Sequence, residues 1–337
     1  MPAPLPPVPA LILPEAPLRV VGSTPPWAGR AVFGPLPPQD AAAELYAGRA
    51  DLVLGTLPLP APAPGTAAPV SVPVGVFAVS VVYRLPGVRL RLDLPTLCAL
   101  LGGQLSTWNA PALAALNPGT RLPALPILVS ARIARNGVSL AVAGACVKAG
   151  VWPAAQLKSN WTGQYAGGGA AFTRAALGAQ RSDLNIPGAL ALFSPLDLPA
   201  GAQVALLRSP GGTFVPPHSG LGLSGPRLPG SAPLLPTQAF GVLHAADTVG
   251  AYPLRGLVWA TLLPEQAYRG RSLERARSLL ALLDALRLGS GGAFAGLPPQ
   301  SWSRVPLFWG GKSVRATELK TGGQTAGDVG AGAGTAR

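Results

Sequence analysis

Leu101–Pro123 reads LGGQLSTWNAPALAALNPGTRLP. It begins at the last residue of one predicted helix, Leu94–Leu101, and contains a shorter one, Ala110–Leu116. Its Trp108 and its prolines read as packing and turn residues, because proline fixes φ and carries no N–H. Just downstream, Pro126–Ser130 is predicted as a strand and Ser139–Lys148 as a further helix. Short strands thus alternate with short helices through the middle of the chain, the pattern of an α/β protein with mainly parallel sheets.

The same alternation extends outward. Val74–Tyr83 (VGVFAVSVVY) is a long β-branched run and a predicted strand, as is Leu254–Leu263 (LRGLVWATLL). Leu18–Gly22 and Asp51–Gly55 are shorter strands, and Asp40–Ala50 (DAAAELYAGRA) reads as a helix with Asp40 at its N-cap. Arg271–Leu288 is the clearest helix: Leu273, Ala276, Leu279, Leu280, Leu283 and Leu286 share one side, and Gly289 ends it. The two long strands flank a central segment, which suggests two lobes joined by two passes of the chain. Residues 1–17 form a proline-rich arm, 57–73 a Pro/Ala linker, 160–235 a Gly/Pro-rich stretch with short strands such as Ala189–Phe193, and the chain from about Glu318 a Gly-rich tail expected to lack order. No internal repeat is visible.

Composition narrows the classes. With 337 residues and 48% hydrophobic content, the chain can bury a sizeable core. The net charge is +13, although only 12% of residues are charged and lysines are few. Such a balance attracts polyanions. The arginines are scattered singly, however, and no zinc-finger spacing or aromatic RNA-binding motif occurs, so the reading is against nucleic acid as a partner. No Cys/His cluster suggests a metal, and no cofactor is implied. Cys98 and Cys146 both lie in apolar stretches and are expected to be buried free thiols; a disulfide would need their Cα atoms within about 7 Å. No apolar run free of proline and charge is long enough to span a bilayer. The opening MPAPLPPVPALILPEAPLR lacks a basic start, and prolines break its apolar run, so it does not read as a signal peptide. His218-Ser219 has no nucleophile elbow beside it, and Gly167-Gly168-Gly169 lacks the Lys-Ser/Thr of a phosphate loop. Nothing in the chain supports an enzyme.

The residues Trp108, Asn109, Pro111, Leu116, Asn117, Pro118, Gly119, Leu122 and Pro123 stand in the order of a segment that resembles the periplasmic phosphate-binding (PstS-like) family. Other segments resemble that family in sequence order: Gly22-Ser23-Thr24 with Pro25 and Pro26, Asp51–Pro58, Gly75–Gly87, Asn185–Phe193, Tyr252–Leu263 and Phe294–Pro298. The resemblance covers about residues 18–318. It implies an α/β, two-lobed type II periplasmic-binding-protein fold with two interlobe crossings. Residues 18–77 and 258–318 would form one lobe and 78–257 the other, with a ligand held between them.

A dry oxyanion site is built from helix N-termini, hydroxyls and an arginine fork. The resemblance places Arg132 as the anion-binding arginine, with Asn136, Gly137 and Ser139 in the loop that follows, although Ser139 also reads simply as a cap of the helix that follows. Ser23, Thr24 and Thr56 would face them from the other lobe. Two acidic positions of the family are replaced here by Thr56 and Ala134, and its Ser/Gly turn reads Gly34-Pro35-Leu36-Pro37-Pro38, which offers fewer N–H groups. Each missing charge-assisted bond is worth roughly 1.5–3 kcal/mol, so four such losses could weaken phosphate binding by on the order of 10⁴-fold or more, if they were additive. The expected role is a solute-binding protein for inorganic phosphate or another small oxyanion, serving the membrane subunits of an ABC importer at a periplasmic or extracellular envelope. The alternative is a structural or interaction protein of the envelope, with envelope protein partners, that kept the fold and lost the site.

Overall fold

The computed structural model describes residues 16–59, 68–157, 171–175, 177–221, 249–291, 294–297, 305 and 307–314. Most of the proline-rich arm, the centre of the 57–73 linker, Gly167-Gly168-Gly169 and the Gly-rich tail fall outside them.

In chain order the elements are β1 (Arg19–Gly22), β2 (Val32–Pro35), α1 (Pro38–Tyr46), β3 (Leu52–Gly55), β4 (Val70–Ala78), β5 (Ser80–Tyr83), β6 (Arg91–Leu92), α2 (Leu94–Leu101), α3 (Pro111–Leu116), β7 (Leu128–Arg132) and α4 (Gly137–Lys148). A 3₁₀ turn at Ala154–Gln156 precedes β8 (Ala171–Ala175), α5 (Leu177–Asp183), β9 (Ala189–Phe193), β10 (Gln203–Val204), β11 (Leu206–Arg208) and β12 (Phe214–Val215). The last group is β13 (Arg255–Leu262), α6 (Leu273–Leu288), β14 (Ser290–Gly291), β15 (Phe294–Gly296), β16 (Phe308–Trp309) and β17 (Lys312–Ser313).

Two sheets organise the molecule. The first has seven strands in the order β14-β15-β4-β13-β3-β1-β2, and the second has five in the order β10-β5-β9-β7-β8. The sheets are mixed, which corrects the expectation of mainly parallel pairing. β1 runs parallel to β2 and β3, and β7 parallel to β8 and β9, whereas β13 is antiparallel to both β3 and β4 and β5 is antiparallel to β9. The physical reason is the chain path: a strand that returns from the second sheet to the first enters it against the direction in which β4 left.

The run Val74–Tyr83 is two strands rather than one. β4 ends at Ala78 in the first sheet, β5 begins at Ser80 in the second, and Val79 alone lies between. The return pass lies beside it. Ala78 pairs with Arg255, the Val79 N–H donates to the Leu254 carbonyl at 2.9 Å, and the Tyr252 hydroxyl donates to the Val79 carbonyl at 2.9 Å. A single apolar cluster runs through this junction, with Val74, Phe77, Val79, Val81, Leu254 and Val258 all buried. The two lobes are thus joined by neighbouring strands that share hydrogen bonds, the arrangement of a hinge.

The signature stretch packs as its residue types require. Trp108 is buried and its indole donates to the Gly188 carbonyl at 3.0 Å. Asn117 is buried too; it accepts from the Arg91 N–H at 2.8 Å and donates to the carbonyls of Arg91 and Leu113. Asn117 thus holds α3 against β6.

Helix starts differ from expectation by small amounts with clear causes. α1 begins at Pro38, which suits the first helical position because its missing N–H needs no partner there, and Asp40 lies in the first turn instead of capping it. α4 starts at Gly137 because Asn136, not Ser139, supplies the cap. Along α6 all six residues of the predicted apolar side are buried.

Cys98 in α2 and Cys146 in α4 form a disulfide, with their Cα atoms 5.5 Å apart. This corrects the expectation of free thiols. Two helices 48 residues apart in sequence pack side by side, which places both thiols in one apolar layer. Among the described residues no cysteine is free. A structural disulfide suits an oxidising compartment.

Candidate functional site

The two lobes meet where the turn after β3 in the first lobe touches the start of α4 in the second, and the line of this meeting is the candidate cleft. In open α/β sheets ligands bind beyond the C-terminal ends of the strands, where the turn after β3 lies.

On the first-lobe side, Gly22 turns the chain at φ 129°, a backbone conformation that favours glycine. A Cβ there would meet the Leu54 carbonyl oxygen at 2.2 Å, so β1 can pass β3 this closely only with glycine. The turn aims the N–H groups of Ser23 and Thr24 at that same carbonyl, at 3.1 and 3.3 Å. Ser23 is exposed. Thr24 is fully buried, and its hydroxyl has no hydrogen-bond partner. The proline-rich turn before α1 ends on Pro37 with no side-chain cap.

On the second-lobe side, the Asn136 side-chain carbonyl accepts from the Ser139 N–H at 2.8 Å. Its amide donates to the Ala134 carbonyl at 2.8 Å and to the Ser139 hydroxyl at 3.0 Å. Asn136 and Ser139 are both buried, and their polar groups are largely committed to each other. The Gly137 N–H, the first of the helix, donates to the Thr56 hydroxyl at 3.2 Å. Thr56 belongs to the first lobe, so this bond crosses the cleft. The approach is close: a Cβ on Gly137 would meet the Thr56 carbonyl oxygen at 2.2 Å and the Thr56 Cβ at 2.4 Å.

Arg132, the last residue of β7, turns to a different partner. Its Nη2 donates to Asp197 Oδ2 at 3.0 Å, and the same oxygen accepts from the Ser194 hydroxyl at 2.9 Å. Arg181 donates to the Asp197 main-chain carbonyl at 3.0 Å. Burial holds the Arg132 guanidinium below the ordinary arginine range; the Asp197 carboxylate opposes this shift, and the Arg181 charge adds to it.

The structure therefore joins Thr56, Asn136, Gly137 and Ser139 in one hydrogen-bonded group. Ser23 lies beside it through Gly55, whose Cβ position is 3.6 Å from the Ser23 hydroxyl. Arg132 is drawn into an ion pair with Asp197 instead. Sequence reading missed Asp197 and Ser194. The signal was present in Ser194-Pro195-Leu196-Asp197, which follows the predicted strand Ala189–Phe193 at the same sheet edge as Arg132. Among the described residues, no group of three or more His, Cys, Asp or Glu could hold a metal ion, and no helix is long and apolar enough to cross a membrane.

The fold is a two-lobed α/β periplasmic-binding-protein architecture. The chain superimposes on a high affinity periplasmic phosphate-binding protein (PfluDING) bound with phosphate, with a TM-score of 0.57 at 15% identity over 84% of this chain and 91% of that chain. It also matches a phosphate-binding protein from Stenotrophomonas maltophilia, with a TM-score of 0.54 at 14% identity over 86% and 92% of the two chains. In sequence, 62 residues are 40% identical to phosphate-binding protein PstS 2 of Mycobacterium tuberculosis, covering 18% of this chain and 17% of that protein. Phosphate-binding protein PstS 3 of Mycobacterium leprae is 37% identical over 70 residues, or 20% of this chain and 19% of that protein. The aligned stretches thus span about a fifth or less of the length of these curated relatives. No protein-family model matches the chain.

Proposed function

We propose that this protein is a solute-binding component of an envelope importer that takes a small oxyanion, phosphate or a relative of it, between its lobes. Residues 18–77 with 258–318 would form one jaw and 78–257 the other. It acts as a binding protein and not as an enzyme. The observation that carries the reading is the Thr56–Gly137 contact: the first N–H of α4 faces the opposite lobe, with Ser23 beside it. An N–H at a helix start is a donor suited to an anion, and the Thr56 hydroxyl now fills that role as acceptor.

An incoming anion would displace Thr56 from Gly137 and compete with Asp197 for Arg132. Both exchanges cost free energy that a cleft with idle donors would not spend. Affinity for phosphate is therefore expected in the weak range, well above nanomolar dissociation constants. ABC-importer membrane subunits would be the partners, at a periplasmic or extracellular face, where the Cys98–Cys146 disulfide would persist. Calorimetric titration of the folded protein with phosphate, sulfate and organic anions tests this. Heat that saturates with at least one of them, and that is reduced by Arg132→Gln, is expected; silence with all of them sinks the reading.

A second reading has its own observation. Gly137, Asn136 and Arg132 already have acceptors within the protein. That favours a chain that kept the two-lobed fold and serves as an interaction protein of the envelope. The same titration separates the two.

A further inference from the structure

A cavity of about 470 Å³ opens at the far end of α4 from Gly137. None of its lining residues takes part in the Thr56–Gly137 group or the Arg132–Asp197 pair. Four elements wall it: the first turn of α2, the last turn of α4, the turn between β11 and β12, and the return pass of the hinge. A helix of 12 residues separates Gly137 from Lys148, so the two places lie roughly 17 Å apart along the helix axis.

The charged lining residues are Lys148, Arg208, Arg255 and Asp93. Three are cationic. The one acid caps α2, where its Oδ1 accepts from the Thr96 N–H at 2.9 Å. Arg255 is 4% exposed, so one cation is built into the floor instead of waving from the surface. Arg208 lies over the Phe214 ring, 5.0 Å from its centroid, and Arg91 lies at 5.5 Å from the same centroid, which holds the Arg208 fork at the rim. The Ser209 main chain is fixed by its N–H to the Thr213 carbonyl at 2.7 Å. The Cys98–Cys146 disulfide ties α2 to α4, so the two helix ends keep a set spacing. Leucine and proline side chains complete the wall, giving room for a carbon skeleton between charged ends.

We propose that this cavity binds a small organic anion with two or more carboxylates, held by the Arg255 and Arg208 forks and by Lys148. Guanidinium groups match carboxylates in a planar, two-bonded geometry, and a volume of this size admits a compact organic molecule. The return pass supplies one wall, including Tyr252, whose hydroxyl is bonded to Val79 at the hinge. An occupant therefore touches the segment that must bend when the lobes separate. The site does not depend on whether the cleft binds an oxyanion.

The test is calorimetric titration of the full chain with citrate, run also on Lys148→Gln/Arg208→Gln, on Arg132→Gln, and on Arg30→Gln/Arg121→Gln as a control for general attraction to a basic surface. Both substituted cavity residues are exposed, so the fold should survive; thermal melts without citrate check this. The expected result is saturable citrate binding that weakens by at least about tenfold in the cavity variant and is unchanged in the other two. No saturable binding to the unaltered chain overturns the proposal. So does an equal loss in the Arg30/Arg121 control, which marks non-specific attraction. A loss in Arg132→Gln with none in the cavity variant would place citrate in the cleft and overturn it as well. The phosphate titration is a separate measurement, so a failed cleft and a failed cavity give different results.

Discussion

Thr56 shows how one side chain can decide the state of a cleft. Where the family resemblance expects an acid that faces the ligand, this chain carries a hydroxyl that accepts from its own opposite lobe. Gly137→Ala tests how tight that contact is. The added methyl would meet the Thr56 backbone, which cannot rotate away as a side-chain tip could. The jaws must part, at a cost of about 1–3 kcal/mol, and solution scattering should report a larger radius of gyration than the unaltered chain gives. An unchanged radius with unchanged stability would remove the contact from the account. Arg132 makes a second test. Asp197→Asn frees the guanidinium from its counter-charge, and sulfate affinity should rise about tenfold. Because both partners are partly exposed, stability should fall by only about 1 kcal/mol in a urea titration. No gain in affinity would mean that Arg132 does not meet the anion. Arg132, Asn136, Gly137 and Ser139 were legible as residue types in the right order. Their actual partners were not, because an ion pair between residues 65 apart and a bond between residues 81 apart depend on how the lobes meet.

Elements were more legible than partners. The apolar side of α6 and the run of α2 follow from spacing alone, since a face that must be buried repeats at the helical period. The run Val74–Tyr83 misled for a physical reason: β4 and β5 are both buried strands, and the residue that changes sheet, Val79, is as apolar and β-branched as its neighbours. The cysteine pair misled because side-by-side packing of α2 and α4 is a tertiary fact. Its removal is a clear experiment. The chain-entropy account assigns about 4 kcal/mol to closing a loop of 48 residues. Cys98→Ser/Cys146→Ser should lose roughly that much in urea unfolding, and mass spectrometry of the unaltered chain without reductant should show no reactive thiol. A shift under about 1 kcal/mol would argue against the bridge.

At the scale of the molecule, the two-lobed plan was readable because two long buried strands bracketed a self-sufficient α/β segment. The mixed direction of the sheets was not, because strand direction follows from the route between lobes. The hinge should be soft in a defined place. Tyr252→Phe deletes the hydroxyl that donates to the Val79 carbonyl while keeping the ring in its pocket. Stability should drop by about 1 kcal/mol, as expected for one lost hydrogen bond. The distance between spin labels on α1 and α3, one in each lobe, should become more broadly distributed. A distribution as narrow as that of the unaltered chain would show that strand pairing alone sets the angle.

The order of strands in the seven-stranded sheet has a consequence for biosynthesis. β3 and β4 are never neighbours; β13, nearly two hundred residues later in the chain, is the strip that joins them. While the ribosome is still extending the polypeptide, the first lobe holds the three strands β2-β1-β3 and the lone strand β4, whose edges have nothing to pair with until β13 and then β15 arrive, and such edges recruit other chains. The intervening lobe has all its own strands by then and can mature first. The protein thus finishes its beginning last, and those edges stay open until residues 255–262 have been made.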